Sequence, residues 1–445
     1  NPYDQNTSAS FFVPKWMFNK IESFDIIIGN PPYINIEKID KDIKARKKDF
    51  RTAYKKYDLY VLFYEKGIDW LKEKGILSYI TSNKFLSQEY GLLLRQELLK
   101  NTINSIVNFN YDIFENATVR TCILSLTKVT SEINHPIQLI DIKTEKDAGK
   151  FINREYEMIF QNIFTTTEYN NFRINLTEEK MSILDKIDEK SIKLDEICSV
   201  NYGLRPISIS GKEKTEFIKD FFLDGYKKYF EGKDTGYWII NNYRYLNYLK
   251  EDIYNPMFKE LFENPKLAGL CTLSEINKLR FIYDEKNYYT NHSVAILTLW
   301  YLFENVNNST IKRNISNEKI ELSKEFDYKY LQGVLNSKLI KFYVNELFYD
   351  GTHFYPNQMK ALPIKKASST IQQLFITLVN MIHYLQPNVS ENIFIHTSNI
   401  GVASHFQDIL DMMVYELYFE VHTKEAGLDV LQFIKPMMEE IQNLP

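Results

Sequence analysis

The sequence predicts an α/β fold, the second half of a doubly wound parallel sheet, continued by an α+β domain and a helical tail. Three observations carry this. Phe24 to Ile28 is a short, almost continuous apolar run, the pattern of a strand buried on both faces of a parallel sheet. From Tyr57 to about Lys128, runs of strand length alternate with stretches of helical spacing. From about residue 200 the pattern changes to short strands and aromatic-rich loops, and after Pro363 it becomes mostly helical. A chain of 445 residues exceeds one ordinary core, and 44% hydrophobic with 25% charged residues is the balance of a soluble globular protein. The expected division is 1–130, half of the sheet domain; 131–200, a crossover; 201–365, the α+β domain; and 366–445, a helical region.

Taken in order, Gly29 ends the first strand and Asn30-Pro31-Pro32-Tyr33 follows as a rigid turn. Leu59, Leu62, Phe63, Trp70 and Leu71 recur as a helical stripe, with Gly75 placed to end that helix. Ile76 to Ile80 reads as a strand, and Ser87 to Leu99 as a helix with its leucines inward. Ile103 to Phe109 and Thr121 to Thr127 read as two strands of a hairpin. Residues 130–200 are mixed and polar, with one helix from Thr177 to Lys190 that Thr177 caps. Gly236 to Ile240 and Lys278 to Tyr283 read as short strands, and Leu331 to Leu347 as an amphipathic helix. Ala367 to Ser390 carries no charge, but Gln372, Gln373, Asn380, His383 and Pro387 exclude a membrane span, and its apolar residues recur at core-helix spacing.

The turn is the most informative segment. Two prolines fix φ and remove two backbone donors, so the carbonyls there face outward without partners. Asn30 adds a side-chain amide oxygen and Tyr33 a flat aromatic face. Two acceptors beside a stacking platform suit a planar substrate that presents an exocyclic NH2, such as a flipped adenine or a similar amide or amine. Directly after the turn, Glu37 to Lys56 holds nine Lys or Arg against four acids, within a chain of net charge −4. An isolated run of this kind is a solvated loop. Beside a base-binding turn it reads as a flap contacting phosphates, with Arg46, Lys47, Lys48 and Arg51 as its DNA-binding residues. Cys122, Cys198 and Cys271 are too far apart for zinc or a disulfide framework, which fits a reducing cytoplasm, and the scattered histidines predict no metal. No signal-peptide pattern is present. Nothing upstream of Phe24 supplies the glycine-rich strand-to-helix turn with which such a sheet holds a nucleotide-like cofactor. The chain therefore reads as a fragment, its cofactor half lying in the N-terminal remainder of a parent polypeptide.

With these landmarks in this order, the chain resembles the N6-adenine DNA methyltransferases of the gamma arrangement, and among them type IIG restriction–modification and TaqI-like enzymes. Asn30-Pro31-Pro32-Tyr33 matches their catalytic motif. Lys56-Tyr-Asp-Leu-Tyr60 with Phe63 is similar to the next helix motif, Gly75 to Leu86 to the strand and loop after it, and Asp112 to Val119 to the segment bearing a base-stacking phenylalanine. Leu331 to Lys338 and Gly351 to Pro363 resemble the C-terminal TaqI-like specificity domain, and Met412 to Tyr418 a tail helix of larger type IIG chains. The resemblance implies a Rossmann-like methyltransferase sheet, S-adenosyl-L-methionine as cofactor and double-stranded DNA as partner, with no membrane. It implies catalysis by Asn30, Pro31, Pro32 and Tyr33, with Tyr33 and Phe114 stacking on a flipped adenine. Pro32 and Phe63 would face the cofactor, although Phe63 also reads as core; Phe114 by itself reads as a core aromatic at a strand end. Arg205, Lys233 and His353 fall in expected recognition loops. The absent cofactor motif implies that the isolated fragment is inactive. Competing readings are a protein-glutamine or RNA methyltransferase, which share the turn but seldom carry some 240 further residues, and a DNA-reading module without activity. No nuclease motif is evident, although one could lie upstream in the parent.

Overall fold

The computed structural model describes residues 23–39, 44–111, 113–114, 119–132, 134–166, 170–349, 351–386 and 393–442. The chain forms two compact units, Asn1–Met181 and Ser182–Pro445.

The first unit is built on a six-stranded sheet in the order β1-β2-β4-β3-β5-β6: β1 Phe24–Gly29, β2 Leu71–Ser82, β3 Thr102–Phe109, β4 Thr121–Thr127, β5 Pro136–Ile142 and β6 Glu157–Phe160. β1 runs parallel to β2, β4 is antiparallel to both β2 and β3, and β5 is parallel to β3. Hence β1, β2, β3 and β5 point the same way, and the segments after them leave one edge of the sheet, where ligands bind in open α/β folds. Helices α1 (Tyr60–Trp70) and α2 (Leu92–Leu99) belong to this unit. Its core gathers Tyr60, Val61 and Tyr64 of α1 with Leu77, Leu94, Leu98, Ile106 and Leu124.

Several expectations are corrected here. β1 is not covered on both faces: among the described residues it lies at the sheet edge, with only β2 beside it, and Ile26 and Ile28 are 59% and 77% exposed. Leu62 and Leu71 are buried as expected, together with Tyr60, Val61, Tyr64 and Ile68, whereas Phe63 and Trp70 are 44% and 41% exposed. Apolar residues on two faces of one helix made the outer pair look inner. Gly75 does not end α1, since Leu71 already enters β2. It lies within that strand beside a register shift, where an added Cβ would stand 2.9 Å from Lys72 O and 3.1 Å from Asp25 O, while Lys74 takes the left-handed turn at φ 64°. Residues read as crossover supply β5 and β6, and in β5 Ile137 and Leu139 are buried with Pro136 and Gln138 exposed before and between them. The helix capped by Thr177 does form, as Glu178–Asp188.

The second unit contains a four-stranded antiparallel sheet ordered Phe281–Asp284, Lys266–Leu270, Val294–Leu299, Cys198–Tyr202. Leu331 to Leu347 is two helices, Tyr328–Leu335 and Lys338–Leu347, because Ser337 accepts from Ile340 N and caps a new helix. The Leu331-to-Lys338 segment has a physical reading. Gln332 Nε2 donates to Trp238 O and Phe281 O at 3.1 Å. Asn336, one turn on, accepts from Phe281 N at 2.7 Å and donates to Phe281 O at 2.9 Å, so it satisfies both backbone groups of an edge strand. Gly333 lets this helix approach Phe375 and Leu410, which a Cβ would meet at 3.1 and 3.2 Å. Gly236 to Ile240 is not a strand; Gly236 N donates to Ile239 O in a turn. The tail is helical, with Ser369–Leu385 burying Leu374, Phe375, Leu378, Val379 and Ile382. Among the described residues no helix is long and apolar enough to cross a membrane.

Candidate active site

Asn30 to Tyr33 follow β1 directly. Asn30 is exposed and its side chain has no hydrogen bond among the described residues, while Pro31 is buried and Pro32 half-buried. No backbone N–H among the described residues occupies the Pro31 carbonyl. Two acceptors are thus left open beside one ring. That ring is held from behind: Tyr33 OH donates to Ile80 O at 3.1 Å near the end of β2, and the ring makes a T-shaped contact with Tyr60 at 6.2 Å and 87°. Burial, with the nearby Cys122 thiol adding to it, pushes the Tyr33 phenol up to about 12, so it stays a neutral donor. Behind Tyr60 the support continues through Tyr90, whose hydroxyl is 2.6 Å away, to Asp58 and Asn35. Backbone bonds from Ile36 N to Tyr57 O and from Leu59 N to Ile34 O lay residues 34–36 against the start of α1. Ile80, Tyr60, Tyr90 and Asp58 were not singled out by the sequence. Asp58 and Tyr60 lie in the Lys56-to-Tyr60 segment and Ile80 in the Gly75-to-Leu86 segment, while Tyr90 falls in neither.

Phe63 is on the open face of α1 rather than in the core. Phe114 is half-buried in the segment after β3. The segment bearing it follows β3 and so leaves the same sheet edge as the turn, with the ends of β1 and β3 three strand spacings, roughly 14 Å, apart. Of the other residues in its motif, Asp112 and 115–118 lie outside the described residues.

The basic run divides into held and open charges. Arg51 binds Glu65, Asp69 and Glu97 at 3.3, 2.7 and 2.9 Å, and the hydrogen bonds to Glu97 and Asp69 raise its pKa further. Burial pushes the Glu97 carboxyl up, but hydrogen bonds from Arg51 and Lys100 outweigh it and hold it below the usual range. Buried Glu65 also accepts from Thr52 N and Oγ1 at 2.9 and 2.7 Å, anchoring the end of the run to α1. Lys55 pairs with Glu89, and Lys56 with Glu37 at 2.9 Å. Lys47 and Lys48 remain exposed and pair with no acid among the described residues, with Lys47 Nζ 5.9 Å from the Tyr57 ring centre. The Arg46 side chain lies outside the described residues.

In the second unit Arg205 and His353 line one cleft of about 630 Å³ with Tyr202, Tyr254, His292 and Tyr355. The rings of His353 and Tyr355 stack at 5.4 Å and 7°. Their segment is pinned by Leu273 N to Thr352 O and Phe354 N to Cys271 O, at 2.8 and 3.0 Å. Gly203 closes the floor, where a Cβ would come within 2.3 Å of Asn291 O. Burial pushes the Tyr202 phenol up to about 12. Lys233 does not line the cleft; its Nζ is 3.5 Å from Glu231. Tyr202, Tyr254, His292 and Tyr355 escaped sequence reasoning, because they converge from distant segments.

The fold and these two sites define a mixed α/β chain that joins methyltransferase-type and recognition-type parts. Residues 3–114 match the Eco57I restriction-modification methylase family and residues 227–364 the TaqI-like C-terminal specificity domain. The chain therefore combines an Eco57I-type methylase region with a TaqI-like specificity domain. It is 31% identical over 180 residues to the type II restriction enzyme and methyltransferase RM.Eco57I of Escherichia coli, covering 39% of this chain and 17% of that protein. An inferred type II restriction enzyme and methyltransferase of Methanocaldococcus jannaschii is 26% identical over 415 residues, 90% of this chain and 32% of the other. Among solved structures, the type IIL restriction-modification enzyme MmeI in complex with DNA is similar with TM-score 0.54 at 13% identity, covering 92% of this chain and 57% of that one. The chain thus spans a third or less of the length of these two curated relatives.

Proposed function

We propose that this chain is the base-binding and sequence-reading part of an enzyme that methylates adenine N6 in duplex DNA within a restriction–modification system. The observation that carries the reading is the Asn30–Tyr33 turn, with two open acceptors beside a ring fixed by Ile80 and Tyr60. Adenine N6 is a poor nucleophile because its lone pair is delocalised into the ring. Asn30 Oδ1 and Pro31 O each accept one N6 hydrogen, which draws the nitrogen toward a tetrahedral shape and frees the pair. Both acceptors are already in place, so the effect is preorganised electrostatics and positioning. The base must leave the helix to reach them, and stacking on Tyr33 and Phe114 offsets that cost by about 1–3 kcal/mol per ring.

S-adenosyl-L-methionine supplies the electrophilic methyl group in this chemistry. The residues present fit one wall of a site for it, with Phe63 exposed on α1 and Pro32 in the turn. The rest of that site belongs to a cofactor-binding half, for which the exposed Ile26 and Ile28 of β1 offer apolar surface. This chain alone is then inactive. The cleft with Arg205 and His353 reads bases, and Lys47 and Lys48 neutralise phosphates. The test is mass spectrometry of nucleosides from DNA treated with the full-length protein and labelled methyl donor. N6-methyladenine supports the reading; label in cytosine, RNA or protein glutamine instead overturns it.

A further inference from the structure

Four polar side chains at the carboxyl edge of the sheet form an unbroken ladder that methyl transfer does not use. Asp141, on β5, accepts from Asn108 Nδ2 and Asn110 Nδ2, each at 2.8 Å. Asn108, near the end of β3 and 4% exposed, gives its other amide hydrogen to Asn110 Oδ1 at 3.1 Å and accepts from Asn83 Nδ2 at 2.9 Å. A carboxylate can only accept, so Asp141 sets the direction of the whole ladder. Both neighbouring amides turn their NH2 groups toward it, Asn108 Oδ1 is left facing Asn83, and Asn83 must donate.

Two backbone bonds extend the ladder. Asn110 N donates to Ile142 O at 2.8 Å, and Asn83 N donates to Arg120 O at 3.1 Å. Asn110 and Arg120 are the two stems of the segment that carries Phe114. Apolar side chains would cover a strand end equally well, without the desolvation that buried amides incur. A directional ladder adds something they lack: a fixed separation between the two stems.

We propose that Asp141, Asn110, Asn108 and Asn83 are positioning residues that set Phe114 against the extruded target base. The inference rests on the stacking role proposed for Phe114, and it adds the device that gives the ring its place. A misplacement of the ring by a fraction of its own thickness would reduce the stacked population without removing any group that touches DNA.

Modified-base sequencing of DNA methylated by the full-length protein gives the target adenine. Permanganate then reports the thymine left unstacked opposite it when the base is extruded. Phe114→Ala, Asn108→Leu and Asp141→Asn are compared with the parent for permanganate reactivity, kcat and KM for DNA. Asp141→Asn keeps volume and removes the fixed direction, so it decides alone if Asn108→Leu does not fold. The inference expects extrusion and kcat to fall together by about five- to tenfold in all three, with KM changed less than about twofold. If the ladder variants lose only melting temperature while extrusion and kcat match the parent, the ladder is a structural brace and the inference is overturned. If Phe114→Ala itself extrudes normally, or no adenine is modified, the underlying reading fails and the inference with it.

Discussion

At the turn after β1, four consecutive residues carry the atoms proposed to act on the base, whereas in the cleft of the second unit six side chains converge from positions as distant as Tyr202 and Tyr355. The turn is stiff for local reasons, namely two prolines and a strand end. The cleft exists only because strands Cys198–Tyr202 and Val294–Leu299 pair and residues 352–354 are pinned across 271–273. Chemistry common to every target can sit in a contiguous motif. Recognition that must differ between targets is distributed over segments that can change one at a time.

The sharpest break between the two regions is Asn30→Ala. It removes one of two acceptors from the reacting amine, and the methylation rate of the full-length protein should fall by about 10²–10³-fold while DNA affinity stays near the parent's. Near-normal methylation would end the catalytic assignment. Next comes Arg205→Ala in the cleft. If Arg205 reads a base edge, discrimination at one position of the target should weaken by about 1–3 kcal/mol, seen as a relaxed sequence preference in competition binding. A uniform loss across all sequences would make it a phosphate contact instead.

The contrast also explains what was legible beforehand. The turn, β3 and β4 could be read directly, because strand ends, prolines and alternation are local signals. The cleft residues could not, since nothing near Tyr254 or His292 marks them as neighbours. Phe63 and Trp70 misled for a related reason: their helix is apolar on both faces, and which face is covered depends on what packs beside β1 and α1. Arg51 shows the opposite error. In the sequence it is one of nine basic residues, yet three carboxylates on α1 and α2 pair with it while its side chain stays at the surface.

A smaller effect separates the charges of that run. Replacing Lys47 and Lys48 with alanine should flatten the slope of log K against log salt by about 1.8, at about 0.9 per phosphate contact, and leave sequence preference unchanged. An unaltered slope would make both lysines part of a solvated surface.

The smallest expected effect is confined to acid stability in the second unit. Burial pushes the Glu231 carboxyl up, but hydrogen bonds from Lys214, Tyr229 and Arg244 outweigh it and hold it at about 2, below its ordinary 4.5. A carboxyl depressed in the folded state stabilises the fold above its unfolded pKa, and that contribution is lost as pH falls from about 4.5 toward 2. Thermal melts should therefore show a steeper decline over that window in the parent than in Glu231→Gln. Parallel curves would mean that the carboxyl interacts equally in folded and unfolded chains.

The central claim is that the turn performs the chemistry and the cleft chooses the site. Modified-base sequencing of one genomic DNA treated with the full-length parent, Asn30→Ala and Arg205→Ala tests both halves together. The account predicts that Asn30→Ala leaves adenines unmodified at every parental site, and that Arg205→Ala still modifies adenine but at a broadened set of sequences. Parental sites modified normally by Asn30→Ala, or an unchanged site set with Arg205→Ala, would contradict it.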